Sequence, residues 1–591
     1  MRVMSVLTEL SGRVGAAFAD EGLDPAMGEV VVSQRPELAQ FQSNGALTAA
    51  RSTDRSPRDL AEAVAARLAA DPAFAKVEVA GPGFINLTLS DEALAAYAES
   101  SARAETLGVE TAQQSETVVV DYAGPNVAKA MHVGHLRATI IGDSLQRIFR
   151  LLGHNVIRDP HFGDWGFQMG LVIAAIAEEQ PDLPYFDPEY RGPYPEESPV
   201  TLDDLQRIYP EANSRSEQDR EFAARVRDTT VDLQRGRTGY VALWRHMKRV
   251  SEESQRRDFA DLGVEFDLWY GESDVADRLE PMVQRLRESG IAEESRGALI
   301  IRVDLPDDKR DLPPLILESS VGAFLYSTTD LATLEMRARD LGAGLILYVV
   351  DARQADHFEL LFRAAAKSGL VPPTTRTEHV KFGTMNGKDG KPFRTRAGGV
   401  VSLGDLIELV QDAARRRLEE AEIAKDYPDD ERERIARQVG IAALKFGDLV
   451  NNRVSDYTFD LDRFSSLEGK TGPYLQYGAV RIRSIQRKAQ ERGLGLGPML
   501  APIVDGERDL MLVLLRLPEA IGRAAELRAP NHVAEYAYQV ASAWNRFYDT
   551  CHILDEGDPA RQASWLTLAD WTLRTLTLLL DLLGIEIPER M

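Results

Sequence analysis

The sequence contains a single cysteine, Cys551, in 591 residues. One thiol excludes both an internal disulfide and a zinc site built from cysteines, and we expect no zinc and no other protein-bound metal. Long apolar runs are also scarce, since residues 576–583 form a short run that Asp581 interrupts. Residues 1–15 lack the apolar core of a signal peptide. These absences predict a cytoplasmic protein without a membrane partner.

Positive charge is in deficit as well. The formal net charge is −24 at pH 7, from 69 lysines and arginines against 93 aspartates and glutamates. Such an acidic chain repels phosphate at long range, so composition alone disfavours a nucleic-acid partner. Any contact with RNA must use local basic surfaces, and its specificity must come from shape and from individual bases. The length predicts about three or four domains.

The most informative stretch is Pro-Asn-Val-Ala-Lys-Ala-Met-His-Val-Gly-His at residues 125–135. The β-branched run before it predicts a buried strand, and residues 136–152 after it show apolar residues at helical spacing. The free N–H groups of a helix N-terminus suit a phosphate. Gly134 lets a flat base approach the backbone, and His132 and His135 can donate ring N–H groups to phosphate oxygens. Two histidines at this spacing can also simply satisfy a helix start, which is the alternative interpretation.

Polar side chains follow several other predicted strands. Residues 115–405 alternate strand and helix, which predicts a doubly wound parallel sheet with its ligand at the carboxyl ends of the strands. Asp121, Asp330 and Gln354 come at such ends, with Asp330 just after a strand predicted at 325–328. Any one of these aspartates can be only a helix cap, but several acids at one edge of a sheet indicate a site.

A loop rich in glycine and cations occupies residues 382–399 and includes Lys388, Lys391 and Arg394. Its glycines give mobility and its cations give affinity for phosphate. A basic hairpin without catalytic function is the alternative interpretation.

Together these motifs resemble class I aminoacyl-tRNA synthetases, and the Pro-Asn pair with Lys129 inside the signature resembles the arginyl-tRNA synthetase family most. The resemblance covers essentially the whole chain. It implies that ATP, as its Mg²⁺ complex, activates L-arginine to arginyl-adenylate with release of pyrophosphate. Transfer of arginyl to the 3′-terminal adenosine of tRNA(Arg) follows, with first attack by the 2′-hydroxyl. The implied partners are tRNA(Arg), L-arginine and ATP, and we expect a monomer.

The fold implied is multidomain α/β. A Rossmann-like catalytic domain with a doubly wound parallel sheet is expected over residues 113–405, with insertions at about 180–240 and 265–320. Residues 1–112 predict a small α+β domain that resembles the additional N-terminal domain contacting the tRNA elbow. Residues 406–591 show long helical patterns and predict an all-α helix bundle, which resembles the anticodon-binding domain.

The resemblance also assigns roles to individual residues. The implied catalytic residues are Lys129, His132, His135, Lys388 and Lys391. The basic loop departs from the usual KMSKS motif because Thr395 stands at the position of the second lysine, and in this family Lys129 supplies the missing charge. Which of Lys388, Lys391 and Arg394 contacts ATP stays open. The implied ATP-binding signature comprises Pro125, Asn126, Val127, Ala128, Lys129, Ala130, Met131, His132, Val133, Gly134 and His135.

Two further sets of binding residues follow from the resemblance. The implied arginine-binding residues are Asp121, Asn126, Tyr326, Asp330 and Gln354. A pocket of carboxylates and amides would reject lysine, because a compact ammonium cannot fill acceptors placed for a planar guanidinium. The implied tRNA-binding residues are Phe84, Asn86, Tyr474, Tyr477 and Arg481.

Three other functions remain as alternatives. A class I synthetase for another amino acid is the nearest. A non-catalytic tRNA-binding relative is disfavoured because both histidines and the basic loop are present. A nucleotidylyltransferase needs only the α/β domain, so the helical C-terminal third disfavours it.

Overall fold

The structure is a computed structural model that describes residues 5–35, 38–320, 322–391, 393 and 401–591. The chain divides into two compact units. One contains residues 1–112 and 467–591, and the other contains residues 113–466.

The strands of the described residues are, in chain order, β1 Val30–Val32, β2 Phe41–Ser43, β3 Phe74–Ala80, β4 Phe84–Leu89, β5 Thr117–Asp121, β6 Asn155–Asp159, β7 Glu293–Ser295, β8 Ala298–Ile301, β9 Leu315–Glu318, β10 Leu345–Tyr348, β11 Arg376–His379, β12 Met385–Asn386 and β13 Tyr457–Thr458.

The α-helices of the same residues are α1 Val6–Asp20, α2 Gly45–Ala49, α3 Pro57–Leu68, α4 Asp91–Arg103, α5 Val133–Leu151, α6 Phe167–Glu179, α7 Leu202–Gln218, α8 Arg220–Gln234, α9 Thr238–Asp261, α10 Ala276–Glu288, α11 Tyr326–Arg339, α12 Ala355–Ser368, α13 Leu403–Glu420, α14 Asp429–Leu449, α15 Leu461–Phe464, α16 Gly472–Glu491, α17 Asp505–Leu514, α18 Leu517–Leu527, α19 Asn531–Thr550 and α20 Pro559–Leu582. No helix within this described part of the chain has both the length and the apolar character that a bilayer span requires.

The unit of residues 113–466 is built on a parallel sheet with the strand order β11-β10-β5-β6. Its central strands are buried except at Thr117, as the β-branched run of β5 and the Leu-Ile-Leu run of β10 predict. Asp121 is opposite Tyr348 on one neighbouring strand and Asp159 on the other, so these residues end at one edge of the sheet. The expected parallel sheet and the multidomain α/β fold are therefore confirmed.

The strand predicted at 325–328 is wrong, because α11 begins at Tyr326. The Ser327 hydroxyl donates to the Ile316 carbonyl at 2.5 Å, and the Thr328 hydroxyl donates to the Leu317 carbonyl. These contacts with β9 stabilise a helical start for a run whose local composition favours a strand. β9 itself lies in a separate antiparallel sheet with β7 and β8, and not in the parallel sheet.

The insertion expected at residues 180–240 contains α7 and α8, although its sequence shows no strong periodicity. The buried residues of α7, Leu205, Ile208 and Ala212, follow helical spacing that Pro210 and many charged neighbours obscure. Apolar residues of α6, α7 and α9 form one core cluster with Val127 and Ala128 of the signature. This insertion therefore supports the turn between β5 and α5.

The expected boundary at residues 405/406 differs from the division between the compact units, which follows Ser466. Helices α13 and α14 pack on each other and contact α5, so they belong with the sheet. The buried ion pair between Arg137 on α5 and Asp448 on α14, with Nε and Oδ2 3.0 Å apart, explains the attachment. Helical periodicity reveals the helices but not the unit in which they pack.

The other unit joins the N-terminal residues to the C-terminal helices. Its antiparallel sheet has the order β1-β2-β4-β3. Arg508 on α17 donates to the Leu89 carbonyl at 2.7 Å, and Arg574 on α20 donates to the Ala104 carbonyl at 2.8 Å. A helix predicted at 509–525 is divided into α17 and α18, because Pro518 lies in the first turn of α18.

Candidate active site

The turn between β5 and α5 has an uncommon backbone conformation. Ala123, Gly124 and Ala128 have φ angles of +80°, +53° and +65°. A left-handed alanine costs roughly 1–2 kcal/mol because its Cβ approaches a carbonyl oxygen. The Ala128 N–H donates to Ser251 Oγ at 3.0 Å, and the Val127 N–H donates to a backbone carbonyl at 3.0 Å. These contacts fix the turn in one shape and so fix where Lys129 begins.

The two histidines of the signature cap α5. The Gly134 N–H donates to His132 Nδ1 at 3.0 Å, and the His132 N–H donates to His135 Nδ1 at 3.1 Å. This reciprocal arrangement is a capping box. Because each Nδ1 accepts a hydrogen bond, the proton of each neutral ring lies on Nε2. Capping and phosphate binding are therefore compatible, since the cap uses Nδ1 and leaves Nε2–H as a donor for a ligand.

The electrostatics of the turn keep both rings neutral. Burial lowers the pKa of His132, and the positive charges of Lys129 and Arg353 lower it further. Burial lowers the pKa of His135 to about 3, and His132 and Lys129 act in the same direction. The two ring centroids are 4.1 Å apart. The turn therefore presents two neutral N–H donors beside an ammonium, which suits the negative charge that develops on a reacting phosphate.

A second part of the site lies at the start of α11. Asp330 Oδ2 lies 2.6 Å from His357 Nε2. The ring of Tyr326, which is 59% exposed, has its centroid 4.8 Å from that of His357. Leu325 occupies the N-cap position of α11, so Asp330 is not the helix cap that the alternative interpretation required. Tyr326 and Asp330 therefore both contact His357, and their role in arginine binding stays a prediction.

Glu272 is a second acid in this part of the site, and Glu272 and Asp330 together form the acidic cluster. Sequence reasoning does not identify Glu272. Its N–H donates to the Phe162 carbonyl at 3.0 Å, at the start of the short 3₁₀ turn Glu272–Val275. Burial, together with the negative charge of Asp330, raises the pKa of Glu272 to about 8. A bound cation would favour the ionised form of Glu272 and would also be attracted by the Asp330 carboxylate. No local motif marks Glu272 in the sequence.

The turn that carries Glu272 is held by Asp164, which is fully buried. Asp164 accepts hydrogen bonds from the Ser273 N–H at 2.9 Å and from the Ser273 hydroxyl at 2.6 Å. Its carboxylate also lies 2.6 Å from Lys248 Nζ. Asp164 belongs to the segment Phe-Gly-Asp-Trp-Gly at residues 162–166, which follows β6, and this segment therefore positions Glu272.

Asp121 makes a different contact from the one predicted. Its Oδ2 lies 2.6 Å from Nη1 of Arg337, which also contacts Asp159 at 2.5 Å through Nη2. Arg337 is fully buried, so the three side chains join β5, β6 and α11 in the protein interior. This geometry favours a structural role for Asp121, and its contact with an arginine ligand stays a prediction.

Asn126 and Gln354 differ in how firmly they are held. The Asn126 carbonyl accepts from Gln255 Nε2 at 2.9 Å, and a methyl group added at Gly163 would come within 2.4 Å of Asn126 Oδ1. Gln354 is exposed at the start of α12 and makes no capping hydrogen bond through its side chain. Both remain candidates for contacts with a ligand.

Comparisons with known proteins agree with this geometry. Three family descriptions match the chain: "tRNA synthetases class I (R), catalytic domain" over residues 100–461, "DALR anticodon binding domain" over 475–591, and "Arginyl tRNA synthetase N terminal domain" over 5–89. The arginine–tRNA ligase of Maricaulis maris (strain MCS10) is 48% identical over 588 residues, which cover 99% of this chain and 100% of that protein.

The chain belongs to the arginine–tRNA ligase family.

Other members of the family support the same conclusion. The arginine–tRNA ligase of Hyphomonas neptunium (strain ATCC 15444) is 47% identical over 589 residues, 99% of this chain and 100% of that protein. The crystal structure of arginyl-tRNA synthetase from Plasmodium falciparum has a TM-score of 0.81 at 24% identity and covers 100% of both chains, which shows the shared fold. The catalytic-domain match ends at residue 461, close to the boundary between the two compact units.

The basic loop is described only in part. Lys388 is exposed, with its Nζ 3.6 Å from Asp460 Oδ2. Lys391 is also exposed, and its carbonyl accepts from the Gly387 N–H at 2.7 Å in a tight turn. Arg394 and Thr395 lie outside the described residues. Within the described ranges, the lysine whose charge acts on both histidines is Lys129, so the catalytic roles of Lys388 and Lys391 stay predictions.

Arg137 connects the signature helix to the base of this loop, and no local pattern in the sequence marks it. Its side chain is 2% exposed. Its Nη1 donates to the Gly383 carbonyl at 2.7 Å and to the Ser455 carbonyl at 3.1 Å. The position of the segment entering the basic loop is therefore tied to the first turns of α5.

The predicted tRNA-binding residues of the N-terminal region lie on β4. Phe84 is half-buried, so part of its ring is open to a partner. Asn86 is buried, and its Oδ1 accepts from Gln42 Nε2 on β2 at 2.9 Å. This acceptor already has a partner within the sheet, and a role of Asn86 in tRNA binding stays a prediction.

The predicted tRNA-binding residues of the C-terminal region share α16. The Tyr474 hydroxyl accepts from Asn545 Nδ2 at 2.5 Å. Tyr477 is exposed, and the Arg481 guanidinium lies 4.2 Å from the centroid of the Tyr548 ring. Aromatic rings beside a guanidinium suit unstacked bases, although the contact with tRNA itself is untested.

We expect His132 and His135 to be neutral Nε2–H tautomers, because each Nδ1 accepts a backbone hydrogen bond. NMR of ¹⁵N-histidine-labelled protein should show the His135 ring unchanged between about pH 5 and pH 8. The variant His135→Gln removes one set of signals and so assigns them. A His135 titration with a midpoint near the ordinary value of about 6.5, or an Nδ1–H tautomer, would contradict the capping arrangement.

Proposed function

We propose that the protein is an arginine–tRNA ligase that activates L-arginine with ATP and transfers the arginyl group to the 3′-terminal adenosine of tRNA(Arg). The observation that carries this proposal is the pair of carboxylates Glu272 and Asp330. They lie in the same compact unit as the start of α5, which suits a phosphate. A cationic amino acid and an anionic nucleotide would each find a region of opposite charge. The names of the relatives at 47% and 48% identity agree with this activity.

In the first step the carboxylate of arginine attacks the α-phosphorus of ATP in line, and pyrophosphate leaves together with Mg²⁺. The bond to the β-phosphate oxygen breaks as the bond to the carboxylate oxygen forms. The Nε2–H groups of His132 and His135 donate to phosphate oxygens as negative charge accumulates. Lys129 neutralises the leaving pyrophosphate. Positioning and charge stabilisation are sufficient, so no covalent intermediate with the protein is needed.

Selection of arginine follows from the acidic cluster. A guanidinium presents five donors in a plane, and two carboxylates can accept them in pairs. Tyr326 provides an exposed ring beside His357, on which a planar cation can stack. Lysine would leave several buried acceptors without partners, so the pocket discriminates against it. We assign Gln354 to the side-chain pocket together with Tyr326 and Asp330. We assign Asp121 and Asn126 to the surroundings of the amino and carboxylate groups of the ligand.

In the second step the 2′-hydroxyl of the terminal adenosine attacks the carbonyl carbon of arginyl-adenylate, and AMP leaves. We assign residues 1–112 to contact with the tRNA elbow through Phe84 and Asn86. We assign α16 to the anticodon region through Tyr474, Tyr477 and Arg481. Local basic and aromatic surfaces of this kind would let an acidic protein bind tRNA.

The remaining expectations concern metal, assembly and location. Mg²⁺ enters as part of the ATP complex, and we propose no zinc site. Within the described residues no group of three or more histidine, cysteine, aspartate or glutamate side chains is arranged to hold a metal ion. We propose a cytoplasmic monomer, in which ATP, amino acid and tRNA meet on one chain.

We expect arginine binding to release a proton at pH 7. Glu272 in the empty site has a pKa of about 8 and is mostly protonated at pH 7, whereas a bound guanidinium favours its ionised form. Arginine affinity should therefore rise between about pH 6 and pH 8 and level off above. Titration calorimetry in two buffers of different ionisation enthalpy should give roughly 0.5–0.9 proton released per arginine.

The variant Glu272→Gln should bind arginine more weakly and release almost no proton. The matched control is Glu359→Gln, which changes an exposed carboxylate on α12 and should behave like the unmodified protein. Proton release that persists in Glu272→Gln would show that another group titrates. Unchanged arginine affinity in Glu272→Gln would exclude Glu272 from the pocket.

We also expect Lys129→Ala to lower arginine-dependent ATP–pyrophosphate exchange by about 100-fold, even with saturating tRNA, because the leaving pyrophosphate loses its cation. Since Thr395 stands where the loop motif usually has a lysine, adding Thr395→Lys should restore part of the rate. Exchange in Lys129→Ala close to that of the unmodified protein would contradict the role of Lys129. If Thr395→Lys restores no exchange in the Lys129→Ala variant, then Lys129 does not act in place of a loop lysine.

A further inference from the structure

The side chain of Lys129 contacts an aromatic ring and not a carboxylate. Its Nζ lies 4.3 Å from the centroid of the Tyr209 ring on α7. No ion pair is found for Lys129 among the described residues, although carboxylates are abundant in this acidic chain. An ammonium placed on the face of a tyrosine ring is attracted by the ring but keeps its full positive charge.

The ring and the lysine are held by the same core. Val127 and Ala128, which directly precede Lys129, are fully buried in a cluster with apolar residues of α6, α7 and α9. Tyr209 packs against this cluster from α7. Since the backbone before Lys129 and the ring that faces its ammonium rest on one set of side chains, their separation is fixed by packing.

Helix α7 is in turn fastened to α6. Arg207 Nη2 lies 2.8 Å from Glu179 Oε2, and Arg215 Nη1 lies 2.5 Å from Glu178 Oε2. Exposed pairs of this kind contribute little each, but two of them along one helix oppose sliding of α7 over α6. Tyr209 is therefore held on a fixed element and not on a loose loop.

We propose that Tyr209 is a positioning residue for Lys129. Its ring holds the ammonium beside the phosphate-binding turn before ATP binds, without engaging it in an ion pair. This inference rests on the proposed function, in which Lys129 contacts the pyrophosphate part of ATP. A carboxylate in place of the ring would compete with phosphate for the ammonium, whereas a ring restricts the lysine chain without neutralising it. The insertion at residues 180–240 thereby acts in the first reaction step.

The test compares Tyr209→Leu, which removes the ring, with Tyr209→Phe, which keeps it. In arginine-dependent ATP–pyrophosphate exchange, Tyr209→Leu should lower kcat/KM for ATP by about three- to tenfold, and Tyr209→Phe by less than about twofold. The KM for arginine should not change, because the acidic cluster does not include Tyr209. Tyr190→Leu is the matched control, since it removes another ring of the same insertion, one that packs at an angle against Tyr194.

Each change at Tyr209 is also made in the Lys129→Ala background. There Tyr209→Leu should cause less than about 1.5-fold further loss, because the two residues act on the same step. If Lys129→Ala is itself impaired, either of two results would overturn the inference. One is an equal loss from Tyr209→Leu in both backgrounds, and the other is faster exchange in Tyr209→Leu alone. Exchange in Lys129→Ala equal to that of the unmodified protein would overturn the proposed role of Lys129 as well.

A measurement that does not depend on enzymatic activity completes the test. The lysines are reductively ¹³C-methylated, and the Lys129 methyl signals are assigned by their loss in Lys129→Arg. A ring 4.3 Å from Nζ should shift these methyl protons upfield in the unmodified protein and in Tyr209→Phe, and the shift should vanish in Tyr209→Leu. Methyl signals of Lys129 at the ordinary position in the unmodified protein would overturn the inference.

Discussion

The site depends on one constraint, which is the fixed turn between β5 and α5. Two alanines in this turn, Ala123 and Ala128, have left-handed conformations that an isolated chain would avoid. They persist because buried contacts determine the backbone, above all the hydrogen bond from the Ala128 N–H to Ser251 Oγ. With the turn fixed, the helix start, its capping histidines and Lys129 have defined positions before any ligand binds. Such preorganisation lowers the cost of stabilising charge during reaction.

The charges of the protein are arranged locally, so its net charge of −24 is a poor guide to its ligands. Around the turn, a helix N-terminus and Lys129 suit the negative charge of a nucleotide. At α11 and the Glu272 turn, two carboxylates suit a cation, and the negative charge of Asp330 helps to raise the pKa of Glu272. Each region suits a ligand of opposite charge. These two ligands, ATP and arginine, are the ones that react with each other.

Local patterns in the sequence predicted the elements that carry the signature. The β-branched residues of β5 and the helical spacing of α5 are encoded within a few residues, so the turn between them could be placed. The local composition around Tyr326 predicts a strand. The structure has a helix there because Ser327 and Thr328 contact β9, which local patterns do not reveal. Glu272 was missed since it lies far from the signature in sequence and has no motif. Arg137 was missed because its partners, among them Asp448, are brought to it only by the fold.

The central claim is that opposite charges at the two regions serve the activation of arginine by ATP. It is tested most directly by ATP–pyrophosphate exchange of the unmodified protein with tRNA(Arg) present, comparing arginine with lysine and the other amino acids. The account predicts exchange that requires arginine, with kcat/KM for arginine exceeding that for lysine by at least about 100-fold. Exchange with lysine or another amino acid at a comparable kcat/KM, or no exchange with arginine in the presence of tRNA, would contradict it.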